Sequence, residues 1–216
     1  GIQHGYQGLI DQQVAPIGPR DVGGIIDRGG TILHTARCKA FFEPEGRARA
    51  ADTLRADGIE GLVVIGGDGS YRGAQLLYSE HGITCVGLPG TIDNDIGGTD
   101  FTIGYATALD TAMEAIDRVR DTAHSHDRIF FIEVMGRHNG YLAMMAGIAG
   151  GAEEVLVPET ETDIDDLVAR LHAGRKAGKN SMIVVVAEGD EAGGAYDIAQ
   201  QVDERIDFAD VRVSVL

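Results

Sequence analysis

Short apolar runs alternate with stretches of helical periodicity along most of this chain. Apart from Glu60 and Thr84, the runs at residues 59–65 and 84–88 are continuously apolar rather than apolar at every second position. Continuous runs of this length are typical of strands in a parallel sheet that helices cover on both faces. The pattern predicts strands at residues 59–65, 84–88, 128–134, 155–157 and 181–187, and helices at residues 73–80, 102–123, 139–149, 163–177 and 195–206.

This order of elements predicts an α/β fold, because each buried strand is followed by a helix. Ligands of such folds collect at the carboxyl ends of the strands. Polar or glycine-rich segments follow four of the predicted strands, and we expect them to form the functional site. They are Gly66–Ser70, Pro89–Asp95, Met135–Arg137 and Glu188.

Composition excludes several classes of partner. A net charge of −16 argues against binding to nucleic acid or to an anionic membrane. No apolar run approaches the roughly 20 residues of a membrane-spanning helix, and nothing at the start is typical of a signal peptide. Cys38 and Cys85 match neither a zinc site nor a disulfide framework. We therefore expect a cytoplasmic protein with reduced cysteines. The low lysine content leaves a halophilic source and a GC-rich genome as open explanations.

The glycine-rich segment Gly66–Ser70 predicts a phosphate site. Glycine lets backbone N–H groups approach phosphate oxygens, and the N-terminus of the next helix points to the same place. Asp68 is placed to hold magnesium, directly or through water. Similar turns occur in diacylglycerol kinases and NAD kinases. The segment alone therefore leaves several kinases open, as well as a plain strand-to-helix turn.

The segment Thr91–Asp95 places two carboxylates two positions apart on an extended loop. One of them can accept a proton from an attacking hydroxyl group while the other serves a metal ion. A solvated acidic loop is the alternative interpretation. It would leave the flanking Pro-Gly and Gly-Gly-Thr-Asp sequences without a purpose.

Seven motifs resemble those of bacterial-type 6-phosphofructokinases, in order and in spacing, over essentially the whole chain. The motifs are Gly66–Ser70, Pro89–Asp95, Ala115–Thr122, Ser125–Arg128, Glu133–Arg137, Ala149–Gly151 and Ala187–Gly189. The resemblance implies two similar three-layer α/β/α domains with mainly parallel sheets and an active site in the cleft between them. Residues 1–104 would form the nucleotide-binding domain and residues 105–216 the sugar-phosphate domain. The chain opens on what should be the end of a strand and stops at an apolar run, so we expect an internal fragment of a longer protein that is inactive alone.

The resemblance also implies a reaction, the transfer of phosphate from ATP to the 1-hydroxyl of fructose 6-phosphate in glycolysis. Asp93 would be the base, and Thr91 would contact the transferring phosphoryl group and the sugar. Arg137 would bind the sugar phosphate and offset charge during transfer. Asp68 and Asp95 would serve Mg²⁺.

Further residues receive binding roles by the same resemblance. The nucleotide phosphates would be lined by Arg37, Cys38, Gly67, Asp68, Gly69 and Ser70. Fructose 6-phosphate would be bound by Thr91, Asp93, Arg128, Met135, Gly136, Arg137 and Glu188. Arg128 would reach the site of a neighbouring subunit, which implies a homotetramer with shared active sites. Effector positions are matched by Arg120, Gly151, Glu153 and Lys179, whereas Pro19 and Ala177 replace the usual basic residues, so allosteric control stays open.

The phosphoryl donor is predicted from two glycines, Gly69 and Gly90. Pyrophosphate-dependent members of the family typically carry Asp and Lys at these places, where glycine leaves room for the rest of a nucleotide. We therefore expect ATP as the donor. A pyrophosphate-dependent enzyme, another kinase with a glycine–aspartate turn, and a non-catalytic regulatory subunit are the alternatives. A regulatory subunit would be expected to lose its carboxylates, and Asp68, Asp93 and Asp95 are all present.

Overall fold

A computed structural model describes residues 1–216. They divide into two units, Gly1–Leu88 and Pro89–Leu216. The sequence-based boundary lies later, after residue 104, so the segment 89–104 falls in the second unit rather than the first. The assignment of nucleotide and sugar phosphate to separate domains stays a prediction.

The first unit packs its helices against a two-stranded sheet. Its elements are α1 (Tyr6–Ile10), a 3-10 turn (Lys39–Phe42), α2 (Pro44–Ala56), β1 (Gly61–Gly66), α3 (Asp68–His81) and β2 (Thr84–Pro89). Leu54 of α2 and Leu77 of α3 are completely buried in its core. Between the same two helices, the half-exposed Glu80 accepts hydrogen bonds from Arg47 at 2.6 and 2.8 Å. The guanidinium of Arg47 is thus paired where it is buried, as a buried charge requires.

One face of the β1–β2 sheet is exposed over residues 1–216. The exposed fractions of Val63, Ile65 and Val86 are 65%, 67% and 58%. Within residues 1–216, helices therefore cover only one face of this sheet. The physical reason is that the described elements supply a single helical layer, which packs on the face that carries Leu62 and Cys85.

The second unit contains a four-stranded sheet with the strand order β4-β5-β3-β6. Its elements are α4 (Tyr105–His126), β3 (Arg128–Val134), α5 (Tyr141–Gly150), β4 (Glu154–Leu156), α6 (Ile164–Lys176), β5 (Met182–Ala187), α7 (Ala195–Asp203) and β6 (Asp210–Val215). All three strand pairings are parallel. This agrees with the predicted α/β class. No helix of the chain combines the length and the apolarity that crossing a membrane requires.

Helices cover both faces of this second sheet, which explains its continuous apolar strands. Phe131 and Val184 face α6 and α7 in one core, whereas Ile132 and Val185 face α4 and α5 in the other. Neighbouring positions of a strand point to opposite faces, so a strand covered on both sides is apolar at most positions, and Glu133 inside β3 is paired with the Ala195 N–H group. Every residue of β5 is accordingly buried.

The register of the sheet sets the place of the candidate site. Val134 of β3 pairs with Ala187 of β5, at the last position of each strand. The segments that follow, Met135–Arg137 and Glu188, therefore leave the sheet at the same edge. The Glu188 N–H group donates to the Val134 carbonyl at 3.0 Å and keeps the two segments adjacent.

The helix α2 is absent from the elements predicted from the sequence pattern. Pro44 at the start of this helix is a standard helix-start signal, because proline's fixed φ suits the first turn. The helix also buries Ala50, Ala51 and Leu54 at helical spacing. These signals were available in the sequence, in contrast to the boundary between the two units.

Asp163 caps α6, and its removal tests how this helix is stabilised. The Asp163 side chain accepts from the N–H groups of Asp165 and Asp166 at 2.8 and 3.2 Å. Replacing a cap with alanine costs about 1 kcal/mol. We therefore expect Asp163→Ala to lower Tm by roughly 2–4 °C in calorimetry. Asp163→Asn retains an acceptor and is expected to stay close to the parent protein. An unchanged Tm for the alanine variant would contradict this prediction.

Candidate active site

The loop between β2 and α4 carries the predicted catalytic carboxylates. The Pro89 carbonyl accepts from the N–H groups of Thr91 and Ile103, at 3.2 and 2.8 Å, so the two ends of the loop meet. The Asp93 N–H group donates to the Thr91 hydroxyl at 3.2 Å. Thr91 and Asp93 are half-buried, and Asp95 is exposed. The loop therefore directs one carboxylate inward and one to solvent.

Asp93 is the titratable group of this loop with a perturbed proton affinity. Burial and the nearby charge of Asp95 raise the pKa of Asp93, and the charge of Glu188 adds to the increase. The Arg137 guanidinium and a hydrogen bond with Thr91 act in the opposite direction on the same pKa. A raised pKa makes the carboxylate a better proton acceptor, which suits a general base. The predicted residues Thr91, Asp93, Asp95, Arg137 and Glu188 are thus close enough to interact.

The segment after β3 turns sharply before it reaches α5. Gly136 and Arg137 have φ values of +147° and +52°. Glycine reaches the first of these without cost, whereas a positive φ at arginine has to be held by its surroundings. The Glu188 carboxylate holds it, because its Oε1 accepts from the Arg137 N–H group at 2.8 Å. Glu188 therefore fixes the backbone at Arg137.

Two further features fix the backbone on either side of this turn. A Cβ atom at Gly189 would lie 1.6 Å from the Arg137 carbonyl oxygen, so only glycine fits at that position. The Gly140 N–H group donates to Glu159 Oε1 at 2.8 Å. The backbone that presents Arg137 is thus fixed from both sides. Met135 and Arg137 themselves are exposed, and Gly136 is buried.

The turn Gly66–Ser70 forms the start of α3 in the first unit. The Gly67 carbonyl accepts from the N–H groups of Ser70 and Tyr71 at 3.0 and 3.1 Å, which begins the helix. A Cβ atom at Gly69 would meet no atom within 4 Å. The hydroxyl group of Tyr6 donates to the Ser70 carbonyl at 2.6 Å. The turn is therefore a fixed helix N-terminus, which is a favourable place for phosphate oxygens.

The other residues expected at the nucleotide lie in the same unit. Arg37 is exposed, and Cys38 borders the core that contains Phe41. Tyr6 stacks on Phe41 with 3.9 Å between the ring centroids. Tyr6 therefore links the 3-10 turn after Cys38 to the start of α3. No hydrogen bond or ion pair joins Arg37 to Gly67, Asp68, Gly69 or Ser70.

The carboxylates expected to serve Mg²⁺ do not form a metal cluster by themselves. No group of three or more His, Cys, Asp or Glu side chains could hold an ion. Asp68 pairs with Arg72 at 2.9 Å in the first unit. Magnesium is usually held by one or two carboxylates together with substrate phosphates and water, so this sparse donor set fits. The repulsion of Asp93 by Asp95 and by Glu188 also favours a cation beside Asp93.

Arg128 lies far from the Asp93 cluster in this chain. It begins β3, whereas Arg137 follows the end of the same strand. Seven residues at about 3.3 Å each separate the two ends of the strand by roughly 20 Å. Arg128 lies 3.8 Å from Asp210, and its Nε atom is buried without a hydrogen bond. The structure therefore does not bring Arg128 together with the other predicted sugar-phosphate residues.

The four residues that match effector positions also lie near the amino-terminal edge of this sheet. Arg120 donates to the carbonyl of Gly150 and, at 3.2 Å, to that of Gly151. Lys179 forms an ion pair with Glu153 at 3.2 Å. Glu153 also accepts from a backbone N–H group of β5 at 2.6 Å. These contacts stabilise the edge, and the effector role stays a prediction.

Three residues that shape these sites receive no role from the sequence. They are Tyr6, Asn94 and Gly189. Gly189 belongs to a motif that the sequence shows, so its need for glycine could have been suspected. Tyr6 and Asn94 act through contacts with residues distant in sequence or on the far side of a loop, which no local pattern reveals.

The profile of a protein family described as phosphofructokinase matches residues 1–216 of this chain. The chain is 56% identical to an ATP-dependent 6-phosphofructokinase of Bacillus cereus, over 100% of this chain and 66% of that protein. It is also 56% identical to ATP-dependent 6-phosphofructokinase 1 of Thermus thermophilus, over 100% of this chain and 67% of that protein. The chain therefore spans about two thirds of the length of these relatives.

The fold of this chain is similar to that of solved phosphofructokinase structures. The structure of phosphofructokinase from Saccharomyces cerevisiae matches with a TM-score of 0.85 and 37% identity, over 100% of this chain and 33% of that chain. A pyrophosphate-dependent phosphofructokinase from Nitrosospira multiformis matches with a TM-score of 0.68 and 25% identity, over 85% of this chain and 50% of that chain. These matches confirm the α/β fold with parallel sheets.

Proposed function

Because this chain belongs to the phosphofructokinase family, we propose that its full-length protein is an ATP-dependent 6-phosphofructokinase. It would transfer the γ-phosphoryl group of ATP to the 1-hydroxyl of fructose 6-phosphate, giving ADP and fructose 1,6-bisphosphate in glycolysis. The observation that carries the proposal is the half-buried Asp93, with its raised pKa, beside Arg137 and Thr91. Phosphoryl transfer to a hydroxyl group requires a base to accept the hydroxyl proton and a cation to offset charge on the phosphoryl group, and Asp93 and Arg137 can supply them.

Asp93 is the general base in this proposal. Its carboxylate accepts the proton of the sugar 1-hydroxyl while that oxygen bonds to the γ-phosphorus. The bond between the γ-phosphorus and the bridging oxygen breaks, and ADP leaves with that oxygen. Because the transition state is loose, the gain comes mainly from position and charge rather than from covalent chemistry.

Arg137 and Thr91 support the transferring group. The guanidinium of Arg137 offsets negative charge on the phosphoryl oxygens, and the Thr91 hydroxyl can donate a hydrogen bond to one of them. Glu188 holds the backbone at Arg137 through one carboxylate oxygen, which leaves its other oxygen for a sugar hydroxyl. Met135 and Gly136 would line the sugar beside them.

Magnesium is part of the proposed function. Asp95 and Asp68 would help to hold the ion, in line with their exposed carboxylates. When bound, Mg²⁺ neutralises charge on the donor phosphates. The N–H groups at the start of α3, from Gly67 to Ser70, would bind phosphate oxygens, and Arg37 and Cys38 would lie beside them.

The assembly and the location of the enzyme are also proposals. The position of Arg128, roughly 20 Å along β3 from the Arg137 turn, fits a role at the site of another subunit rather than at its own. We therefore infer a homo-oligomer, and from the family a homotetramer with shared active sites, that works in the cytoplasm. Mass photometry of the full-length protein tests the assembly, and a monomer with full activity would contradict it.

A coupled assay of fructose 1,6-bisphosphate formation tests the function directly. The full-length protein is offered ATP and pyrophosphate in separate reactions. Turnover with ATP alone is expected. Turnover with pyrophosphate alone would reverse the donor assignment but leave the phosphofructokinase reaction in place. No turnover with either donor, in a folded oligomer, would favour a regulatory subunit or another phosphate acceptor.

The acidic limb of the pH profile depends on the groups that surround Asp93. The negative charge of Glu188 raises the pKa of Asp93, and the base must be ionised to accept a proton. Glu188→Gln removes this charge and keeps an oxygen that can accept from the Arg137 N–H group. We expect the acidic limb of kcat/KM to move to lower pH in this variant, because Asp93 then ionises at lower pH.

The control for this pH shift is Glu204→Gln, which removes one exposed charge at the end of α7. It is expected to leave the acidic limb where it is. A shift to higher pH in Glu188→Gln would contradict the assignment of Asp93 as the base, since it has the wrong sign.

A further inference from the structure

Asn94 separates the two carboxylates of the catalytic loop and crosses the loop with its side chain. Its Oδ1 atom accepts from the Thr102 N–H group at 2.8 Å. Its Nδ2 atom donates to the Asp100 carbonyl at 3.3 Å. A backbone N–H group only donates and a carbonyl oxygen only accepts, so these partners fix the orientation of the amide. This one side chain therefore connects Asn94 to residues six and eight positions further along the loop.

The backbone of Asn94 adds a second constraint. Its φ value is +53°, in the left-handed region, which asparagine tolerates better than most residues. This conformation lies between the two carboxylates Asp93 and Asp95. Position 94 requires a positive φ and a side chain that both accepts and donates a hydrogen bond. Glycine lacks the side chain, and an ionised aspartate cannot donate.

Few other contacts hold the far part of this loop. Gly97 and Gly98 lie within it, and a Cβ atom at either would meet nothing within 4 Å. The Thr99 N–H group donates to the Ile96 carbonyl at the long distance of 3.4 Å. By contrast, Thr102 is 4% exposed, so the Asn94 side chain attaches the loop to a buried point.

We propose that Asn94 is a positioning residue, whose side-chain amide closes the loop and thereby holds the Asp93 and Asp95 carboxylates in place. The catalytic part of this inference rests on the proposed function, whereas the closure of the loop does not. In this role Asn94 acts through its contacts with Asp100 and Thr102. Misplacement of a catalytic group by about 1 Å can cost 10²-fold in rate.

The test uses Asn94→Gly in the full-length protein, because glycine keeps the positive φ and removes only the amide. We expect kcat to fall by roughly 10- to 100-fold. We expect KM for ATP and for fructose 6-phosphate to stay within about threefold, since binding groups remain. Hydrogen exchange followed by mass spectrometry is expected to quicken in peptides that cover residues 94–104 and to stay unchanged in β3 and β5.

A matched control is Asn180→Gly, which removes an exposed amide bonded to Arg175 at 2.8 Å. It is expected to change neither kcat nor exchange at residues 94–104. A second variant, Asn94→Asp, retains the oxygen that accepts from Thr102. Its exchange is expected to lie closer to the parent protein than that of Asn94→Gly, and equal exchange in the two variants would overturn the closure by Asn94.

The outcomes separate this inference from the proposed function. Unchanged exchange at residues 94–104 in Asn94→Gly overturns it, whatever the activity. Faster exchange with unchanged kcat also overturns it, because the open loop would then still place its carboxylates. If the parent protein turns over no fructose 6-phosphate with ATP, the proposed function fails, and the exchange comparison still decides whether Asn94 closes the loop.

Discussion

Asp93→Asn is expected to lower kcat by about 10³-fold, since a positioned base typically contributes 10²- to 10⁴-fold. Asparagine has nearly the shape of aspartate but cannot accept the proton of the attacking hydroxyl. Steady-state kinetics with ATP and fructose 6-phosphate measure the loss. KM is expected to change far less than kcat, because the interaction is needed mainly in the transition state.

The same substitution is expected to raise Tm. The folded-state pKa of Asp93 lies above its ordinary value. Protonated Asp93 therefore contributes to the free energy of unfolding below that ordinary value, and this contribution is lost as the pH rises through the folded-state pKa. At neutral pH the charged carboxylate therefore destabilises the fold, and asparagine removes the charge. Asp203→Asn, at an exposed position at the end of α7, is the control for both measurements. Full activity in Asp93→Asn would exclude Asp93 as the base.

Gly69→Asp is expected to lower ATP-dependent turnover by at least about 10²-fold. The new carboxylate would lie at the start of α3, where phosphate oxygens are proposed to bind, and placing like charges together costs several kcal/mol. The fold is expected to tolerate the change, because a Cβ atom at Gly69 meets nothing within 4 Å. A carboxylate in the first turn of a helix is even mildly stabilising.

The control for this substitution is Gly29→Asp, which adds the same charge at an exposed glycine with open space around it. It is expected to leave turnover and Tm unchanged. If Gly69→Asp kept full ATP-dependent activity, the start of α3 would not be where the donor phosphates bind. Activity gained with pyrophosphate would instead extend the role of Gly69 to donor choice.

The elements of the second unit could be predicted closely from sequence. The strand predicted at 128–134 is observed as Arg128–Val134, and the strand predicted at 181–187 is observed as Met182–Ala187. Both are covered on two faces, so β5 is apolar throughout and β3 is apolar except for Arg128 and Glu133. The helix α2 was missed because only Pro44 and a few small apolar residues indicate it.

The candidate site was predictable where chemistry and local sequence coincide. Thr91, Asp93 and Asp95 share one short motif, and Arg137 and Glu188 follow neighbouring strands. The meeting of Arg137 with Glu188 follows from the parallel register of β3 and β5, in which carboxyl ends lie at one edge. The loop that carries Thr91, Asp93 and Asp95 follows β2 of the other sheet, so its approach to them depends on the tertiary fold. Asn94 was not predictable in the same way, because its partners Asp100 and Thr102 are joined to it only by the path of the loop.

The sequence by itself determined the family, the α/β class and the identity of the carboxylates, since these depend on residue types and spacing along the chain. Only the tertiary structure decided which groups act on Asp93 and how the backbone at Arg137 is held. Burial and charge raise the pKa of Asp93 through space, and the contact between Glu188 and the Arg137 N–H group spans 51 positions. Such interactions depend on distance after folding, which no local pattern of residues contains.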